Sequence, residues 1–268
     1  MSAAASVHVE SVGVGPPLVL LHGWAMHGGL FATILPALAD KHRVHVVDLP
    51  GHGHSAAIER GSLDDVVDAV DAALSSIPGP LDVLGWSLGG AVALRWAQRH
   101  PARVARLVLL ATTPSFVARD GWPDAMHADT LAKFGDELRI AYRLTLLRFL
   151  TLQTQGSDGG RTALAALRQQ LFARGEPPPS ALAQSLALLR DTDLRADVAN
   201  IDTPALVIAG SRDALAPRAA GAWLARTMPN ARFVEIDGAA HAPFLSHANA
   251  FADVVNDFLA EPAAVDAR

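Results

Sequence analysis

Short, uninterrupted apolar runs punctuate the chain at Pro17–Leu21, Arg43–Val47, Leu81–Leu84, Arg106–Leu110, Ala205–Ala209 and Arg232–Ile236, most of them rich in Val, Ile and Leu. Continuous rather than alternating runs predict strands covered on both faces. Between them apolar residues recur at helical spacing over Leu30–Ala39, Leu63–Ser76, Leu88–His100, Arg218–Met228 and Asn249–Leu259. Strand and helix alternate, which predicts an α/β fold: a mostly parallel central sheet flanked by helices.

The alternation stops between about Ser115 and Asp197. Helical periodicity takes over there, at Phe134–Leu152, Arg161–Ala173 and Ser180–Arg190, with a further short helix expected near Asp124–Lys133. Two breakers, Gly156-Ser-Asp-Gly-Gly160 and Gly175-Glu-Pro-Pro-Pro179, separate these segments. The expected organisation is a core made of residues 1–114 and 198–268, interrupted by a helical cap at 115–197. No fixed-period repeat is present.

With 268 residues, half of them hydrophobic, the chain can bury a substantial core. Its net charge of −5 argues against whole-protein attraction to nucleic acid or to an anionic membrane. The absence of cysteine removes disulfides, a thiol nucleophile and thiolate metal sites. The first six residues lack the basic-then-apolar pattern of a signal peptide, and no run reaches the roughly 20 apolar residues of a membrane helix. The expectation is a soluble cytoplasmic protein.

Chemistry enters at Leu84-Gly-Trp-Ser-Leu-Gly-Gly90, which has the G-x-S-x-G form that lifts a serine hydroxyl onto a sharp strand-to-helix turn. Ser87 is the candidate nucleophile. A serine hydroxyl needs a base within hydrogen-bond reach and a third group to orient that base. Ligand sites in parallel sheets lie at the carboxyl ends of strands, and among the eleven histidines His241 stands just beyond the Arg232–Ile236 run. His8 and His100 read as surface residues, and His42 and His45 as neighbours or members of a strand. His52 and His54 lack the further ligands of a metal site, so no metal and no cofactor is expected. Asp213 follows the Ala205–Ala209 run and completes the order Ser, Asp, His. Asp191, Asp193, Asp197 and Asp202 precede that strand, at its wrong end.

Two backbone amides are expected to stabilise a tetrahedral oxyanion: that of Leu88, directly after the nucleophile, and that of Trp24, after the apolar Leu18–Leu21 run. The Trp24 ring reads equally as a core aromatic or as a wall of an acyl pocket. Trp24, Leu88, Phe116, Phe149 and Leu152 would form an apolar channel.

These elements, with Asp48-Leu-Pro-Gly-His-Gly-His-Ser55 as a structural turn, resemble the α/β-hydrolase superfamily over nearly the whole chain. A narrower set comprises Leu20–Trp24, Val47–Gly51, Gly85–Gly90, Phe116–Pro123, Arg148–Thr154 and Ala240–Phe244. It resembles the BioH-type pimeloyl-acyl-carrier-protein methyl ester esterases of biotin synthesis. The resemblance implies a serine esterase with substrate contacts at Trp24, Ser87, Leu88, Phe116, Phe149, Leu150, Thr151, Leu152, Gln153 and His241. It also implies a transient acyl-carrier-protein partner for a monomeric enzyme. Between Leu138 and Arg168 the cap carries Arg139, Arg143, Arg148, Arg161 and Arg168 against the single acid Asp158. Arg139, Arg143, Arg148 and Arg161 are therefore expected to dock an acidic carrier, although arginines also simply solubilise amphipathic helices. The same serine, acid and histidine would serve a general short-chain esterase, an enol-lactonase or a cofactor-free perhydrolase. The fold alone would also suit a non-catalytic ligand receptor.

Overall fold

The computed structural model describes residues 6–58 and 61–261. Seven strands form one sheet: β1 (Val9–Val12), β2 (Pro17–Leu21), β3 (Arg43–Val47), β4 (Leu81–Trp86), β5 (Val104–Leu110), β6 (Ala205–Gly210) and β7 (Ala231–Ile236). Their order is β1-β3-β2-β4-β5-β6-β7, with β1 antiparallel to β3 and every other pair parallel. The six apolar runs of the sequence are the six parallel strands. Strands β4 and β6, in the sheet interior, are buried at every position, as their unbroken apolar sequences require.

Helices flank the sheet. They are α1 (Leu35–Ala39), preceded by a 3-10 turn at Gly28–Thr33, then α2 (Leu63–Ala73) and α3 (Leu88–Arg99). After an irregular stretch come α4 (Ala128–Thr154), α5 (Gly160–Gln170) and α6 (Pro179–Asp191), followed by α7 (Arg218–Thr227), α8 (Pro243–Ser246) and α9 (Ala248–Ala260). Local chemistry sets several boundaries. Ser62 and Asp65 form a reciprocal capping box at the start of α2, and Asp64 and Asp65 place negative charge on its first turn. The predicted Leu30–Ala39 helix is divided because Pro36 enters near the start of α1.

Helices α4 to α6 lie between β5 and β6 in the chain, within the segment whose periodicity excluded strands. The short helix expected near Asp124–Lys133 and the longer one at Phe134–Leu152 are continuous in α4, which bends at Ala141 (φ −143°, ψ 56°). No helix among the described residues is long and apolar enough to cross a membrane.

Candidate active site

Strand β2 has β3 on one side and β4 on the other, so the chain reverses its direction of travel across the sheet between β2 and β4. A crevice opens at the carboxyl ends of strands at such a point. Two motifs of the sequence meet there: His22-Gly23-Trp24 leaves β2, and Ser87 leaves β4.

Ser87 takes φ 56° and ψ −116°, a backbone region that costs a non-glycine residue about 1–3 kcal/mol. Neighbours hold it there. Its amide donates to Leu110 O at 2.9 Å, and its carbonyl accepts from Gly90 N at 2.9 Å and from Thr112 Oγ1 at 2.6 Å. Glycine at 85 and 89 is a steric requirement. A Cβ at Gly85 would strike the main chain of Gly89, and one at Gly89 would strike the carbonyl of Leu21. Ala25 (φ 61°) and Ala111 (φ 46°) share the left-handed conformation, so β2, β4 and β5 are each followed by a strained residue.

Asp213 and His241 come together as their positions after β6 and β7 predicted. His241 Nδ1 lies 2.9 Å from Asp213 Oδ2, and both side chains are buried. The other carboxylate oxygen, Oδ1, accepts from the amides of Leu215 (2.8 Å) and Ala216 (3.0 Å). This satisfaction of both oxygens keeps Asp213 oriented as an acceptor toward the ring, which leaves Nε2 as the nitrogen free to exchange a proton. The main chain of His241 is held as well: its amide donates to Gln153 O at 3.0 Å, and its carbonyl accepts from Trp86 Nε1 at 2.8 Å. Trp86 received no role from the sequence, and its position directly before Ser87 was the signal available.

The loop after β2 is fixed by His22. Its Nδ1–H donates to Gly23 O at 2.8 Å and its Nε2 accepts from Leu49 N at 2.9 Å, an arrangement that only the neutral ring satisfies. Burial, reinforced by the neighbouring His52, depresses its pKa to about 3. Gly23 sits against Ser87, with space for a Cβ only 3.2 Å from Ser87 Cβ, so the amide of Trp24 follows immediately at the crevice. The Trp24 ring is buried, donates to Leu182 O at 3.1 Å, and packs edge-on against Phe149 (5.1 Å) and Phe134 (5.4 Å). It is therefore a junction between the β2 loop and helices α4 and α6.

A narrow cleft over Ser87 is lined by Leu88, Ala91, Phe116, Leu188, Thr192 and Ala216 among others. Its free volume of about 10 Å³ is that of a single water. Leu88 and Phe116 thus reach the cleft as expected, whereas none of Phe149 to Gln153 lines it. Helical geometry accounts for Thr151 and Leu152. Five consecutive residues of a helix cannot face one way, and Phe149, Leu150 and Gln153 turn inward while Thr151 and Leu152 (44% exposed) turn outward. The expected channel wall at Leu152 is corrected accordingly. Gln153 is buried (1% exposed), and neither end of its side-chain amide has a partner among the described residues.

The arginine excess counted along the sequence shrinks in space. Arg139 pairs with Asp136, Arg143 with Glu176, and Arg148 with Glu137 at 3.6 Å, acids that lie just outside the counted window. Arg161 and Arg168 remain exposed, without an ion pair among the described residues. The arginines border an exposed apolar ridge on α4 formed by Ile140 (86% exposed), Leu144 and Leu147.

Asp48 carries structure rather than chemistry. Its carboxylate accepts from the amides of Gly28 (2.7 Å) and His54 (2.8 Å) and from Arg174 (3.0 Å). Burial works to raise its pKa, but these donors, the Arg174 guanidinium among them, outweigh it and hold the carboxyl below the ordinary range. His52 and His54 serve this turn, and no group of three or more metal-binding side chains occurs among the described residues.

The chain belongs to the α/β-hydrolase family: residues 16–248 match the family model described as alpha/beta hydrolase fold. Within it the sequence groups with the BioH-type esterases. It is 44% identical to the pimeloyl-[acyl-carrier protein] methyl ester esterase of Chromobacterium violaceum, over 95% of this chain and 98% of that one. It is 46% identical to the protein of the same name from Xanthomonas campestris pv. campestris, over 95% and 99%. Among solved structures, an esterase from Exiguobacterium antarcticum superposes with a TM-score of 0.89 at 22% identity, covering 96% of both chains, which shows the shared fold.

Proposed function

We propose that this chain is a cytoplasmic serine carboxylesterase that hydrolyses the methyl ester of a pimeloyl-[acyl-carrier protein], giving methanol and the free pimeloyl-carrier protein. The observation that carries this reading is the 44–46% identity, over nearly full length, to relatives bearing that name. The Asp213–His241 pair, which like Ser87 lies beyond the carboxyl end of a parallel strand, supplies the chemistry in this reading.

In the proposed mechanism Ser87 Oγ attacks the ester carbonyl as His241 Nε2 takes its proton. The oxyanion receives the amides of Trp24 and Leu88, each such donor being worth about 3 kcal/mol of barrier. His241 then protonates the departing methoxide, leaving an acyl-Ser87 ester. Water, deprotonated by His241, attacks the acyl carbon and the serine regains its proton. Asp213 holds the ring in the required tautomer and stabilises its cation throughout.

Residues 115–197 form the lid in this reading. The cleft over Ser87 is too small for an acyl chain, so substrate entry displaces α6, which contributes Leu188 and Leu189 to its wall. Phe149 and the unpartnered amide of Gln153 are the proposed substrate contacts on α4. The ridge of Ile140, Leu144 and Leu147, with Arg139, Arg143, Arg148 and Arg161, is the proposed docking face for the carrier, a transient partner of a monomeric enzyme. An acidic partner would exchange the local ion pairs of these arginines for its own carboxylates.

The test is hydrolysis of pimeloyl-carrier methyl ester beside the free methyl ester, with growth rescue of a biotin-requiring strain that lacks its own esterase. The expected result is rescue, and a carrier preference that falls when Arg143 and Arg148 are replaced by Glu. Equal turnover of both esters without rescue would point to a general short-chain esterase.

A further inference from the structure

The glycine-rich break Gly156-Ser-Asp-Gly-Gly160 does more than end a helix. Gly156 (φ 76°) and Gly159 (φ 70°) turn the chain back on itself between α4 and α5. The turn is carried against both loops that hold the candidate acid and base. Asp158 N donates to Gly238 O at 2.8 Å, Ala240 N donates to Ser157 Oγ at 3.3 Å, and His241 N donates to Gln153 O at 3.0 Å. From the other loop, Arg212, the residue before Asp213, reaches both Gly156 O and Asp158 Oδ1 at 2.7 Å. The two loops are also tied directly, through Arg212 N to Ala239 O at 2.8 Å and through Ser211 Oγ, which accepts from Gly238 N at 2.8 Å. The fit is close enough that a Cβ on Gly238 would strike the Asp158 carboxylate.

We propose that residues 153–158 are a clasp by which the inserted helices set the position of His241 relative to Ser87, with Ser157, Asp158 and Arg212 as positioning residues. The inference rests on the reading of Ser87, Asp213 and His241 as a catalytic set. A base must be held in register with its nucleophile, because a displacement of about 1 Å is enough to cost on the order of 100-fold in rate. The clasp supplies that register from outside the sheet. Its side chains are largely exposed, and exposed ion pairs contribute little to folding. Loss of the clasp should therefore loosen the base without unfolding the protein.

The experiment compares wild type with Arg212→Met, Ser157→Ala and their double variant, using p-nitrophenyl acetate, whose turnover reports on serine and histidine whatever the natural acyl group. For the double variant the expected result is a fall in kcat of about 10- to 100-fold, with KM changed less than about threefold and an unaltered thermal midpoint. The downfield proton resonance of the His241–Asp213 hydrogen bond should broaden or vanish with it, and Arg212→Lys should restore most of kcat. A double variant with wild-type kcat and an intact resonance would overturn the clasp. So would a loss of activity that follows KM alone. Retained turnover in Ser87→Ala would instead overturn the reading of the site on which the clasp rests.

Discussion

Trp86 Nε1 donates to the carbonyl of His241 at 2.8 Å, so the residue just before the candidate nucleophile holds the main chain of the candidate base. The two rings also stand 5.6 Å apart. Nucleophile and base are thereby referenced to each other through one indole. Replacing Trp86 with Phe keeps most of the packing and leaves the carbonyl of His241 buried without its donor. A loss of about 1–3 kcal/mol in stability is expected, with kcat reduced more than KM. Urea unfolding and steady-state kinetics on one preparation measure both.

Ser87→Gly separates strain from chemistry. Glycine occupies φ 56° and ψ −116° without a Cβ penalty, so the variant should gain about 1 kcal/mol or more of stability while losing turnover. Ser87→Ala should lose turnover, roughly 10⁴-fold or more, without that gain. Comparing the urea midpoints of the two variants checks the difference.

Acid should destabilise the protein from about pH 6.5 downward. Burial holds His22 neutral with a pKa of about 3, against about 6.5 in the unfolded chain, and Asp48 is likewise depressed. Between these values the unfolded chain binds more protons than the folded one, so stability is fully present above the unfolded pKa and falls as the pH drops. The urea midpoint of wild type should decline between about pH 6.5 and 3. In His22→Asn the decline should be shallower, from a lower starting value.

Arg174→Met should cost about 2–4 kcal/mol, because Asp48 is fully buried and loses its cationic partner while retaining two amide donors. Arg174 also contacts Glu10 at 2.6 Å and so ties the segment after α5 to β1 and to the Asp48 turn. Thermal unfolding gives the loss, and Glu10→Gln, on an exposed partner, should lose much less.

Much of this arrangement was legible because burial leaves a periodic record. The six parallel strands read as unbroken apolar runs, and the places of Ser87, Asp213 and His241 beyond strand ends, with the pairing of the last two, could be anticipated from the sequence. Strand β1 was not legible: Val9-Glu-Ser-Val12 is a short, mostly exposed edge strand, and two of its four residues are polar. The contacts of α4 were only partly legible, since matching Phe149 to Gln153 as a block ignores the helical turn that points Thr151 and Leu152 outward. The arginine count failed for a related reason. A window along the chain omitted Asp136, Glu137 and Glu176, which the fold brings to Arg139, Arg148 and Arg143. The bond from His241 to Gln153 joins residues 88 positions apart, through an insertion whose return path no local pattern encodes.

The left-handed residues Ala25, Ser87 and Ala111 follow β2, β4 and β5, three neighbouring strands of the sheet. Laboratory evolution of this chain for heat resistance alone would find its easiest gains on that rim, where a glycine at any of the three positions relaxes the backbone. One of those three gains removes the candidate nucleophile. A screen that scores melting temperature without scoring turnover would therefore enrich stable proteins that have lost the site, and robustness and activity would have to be selected together.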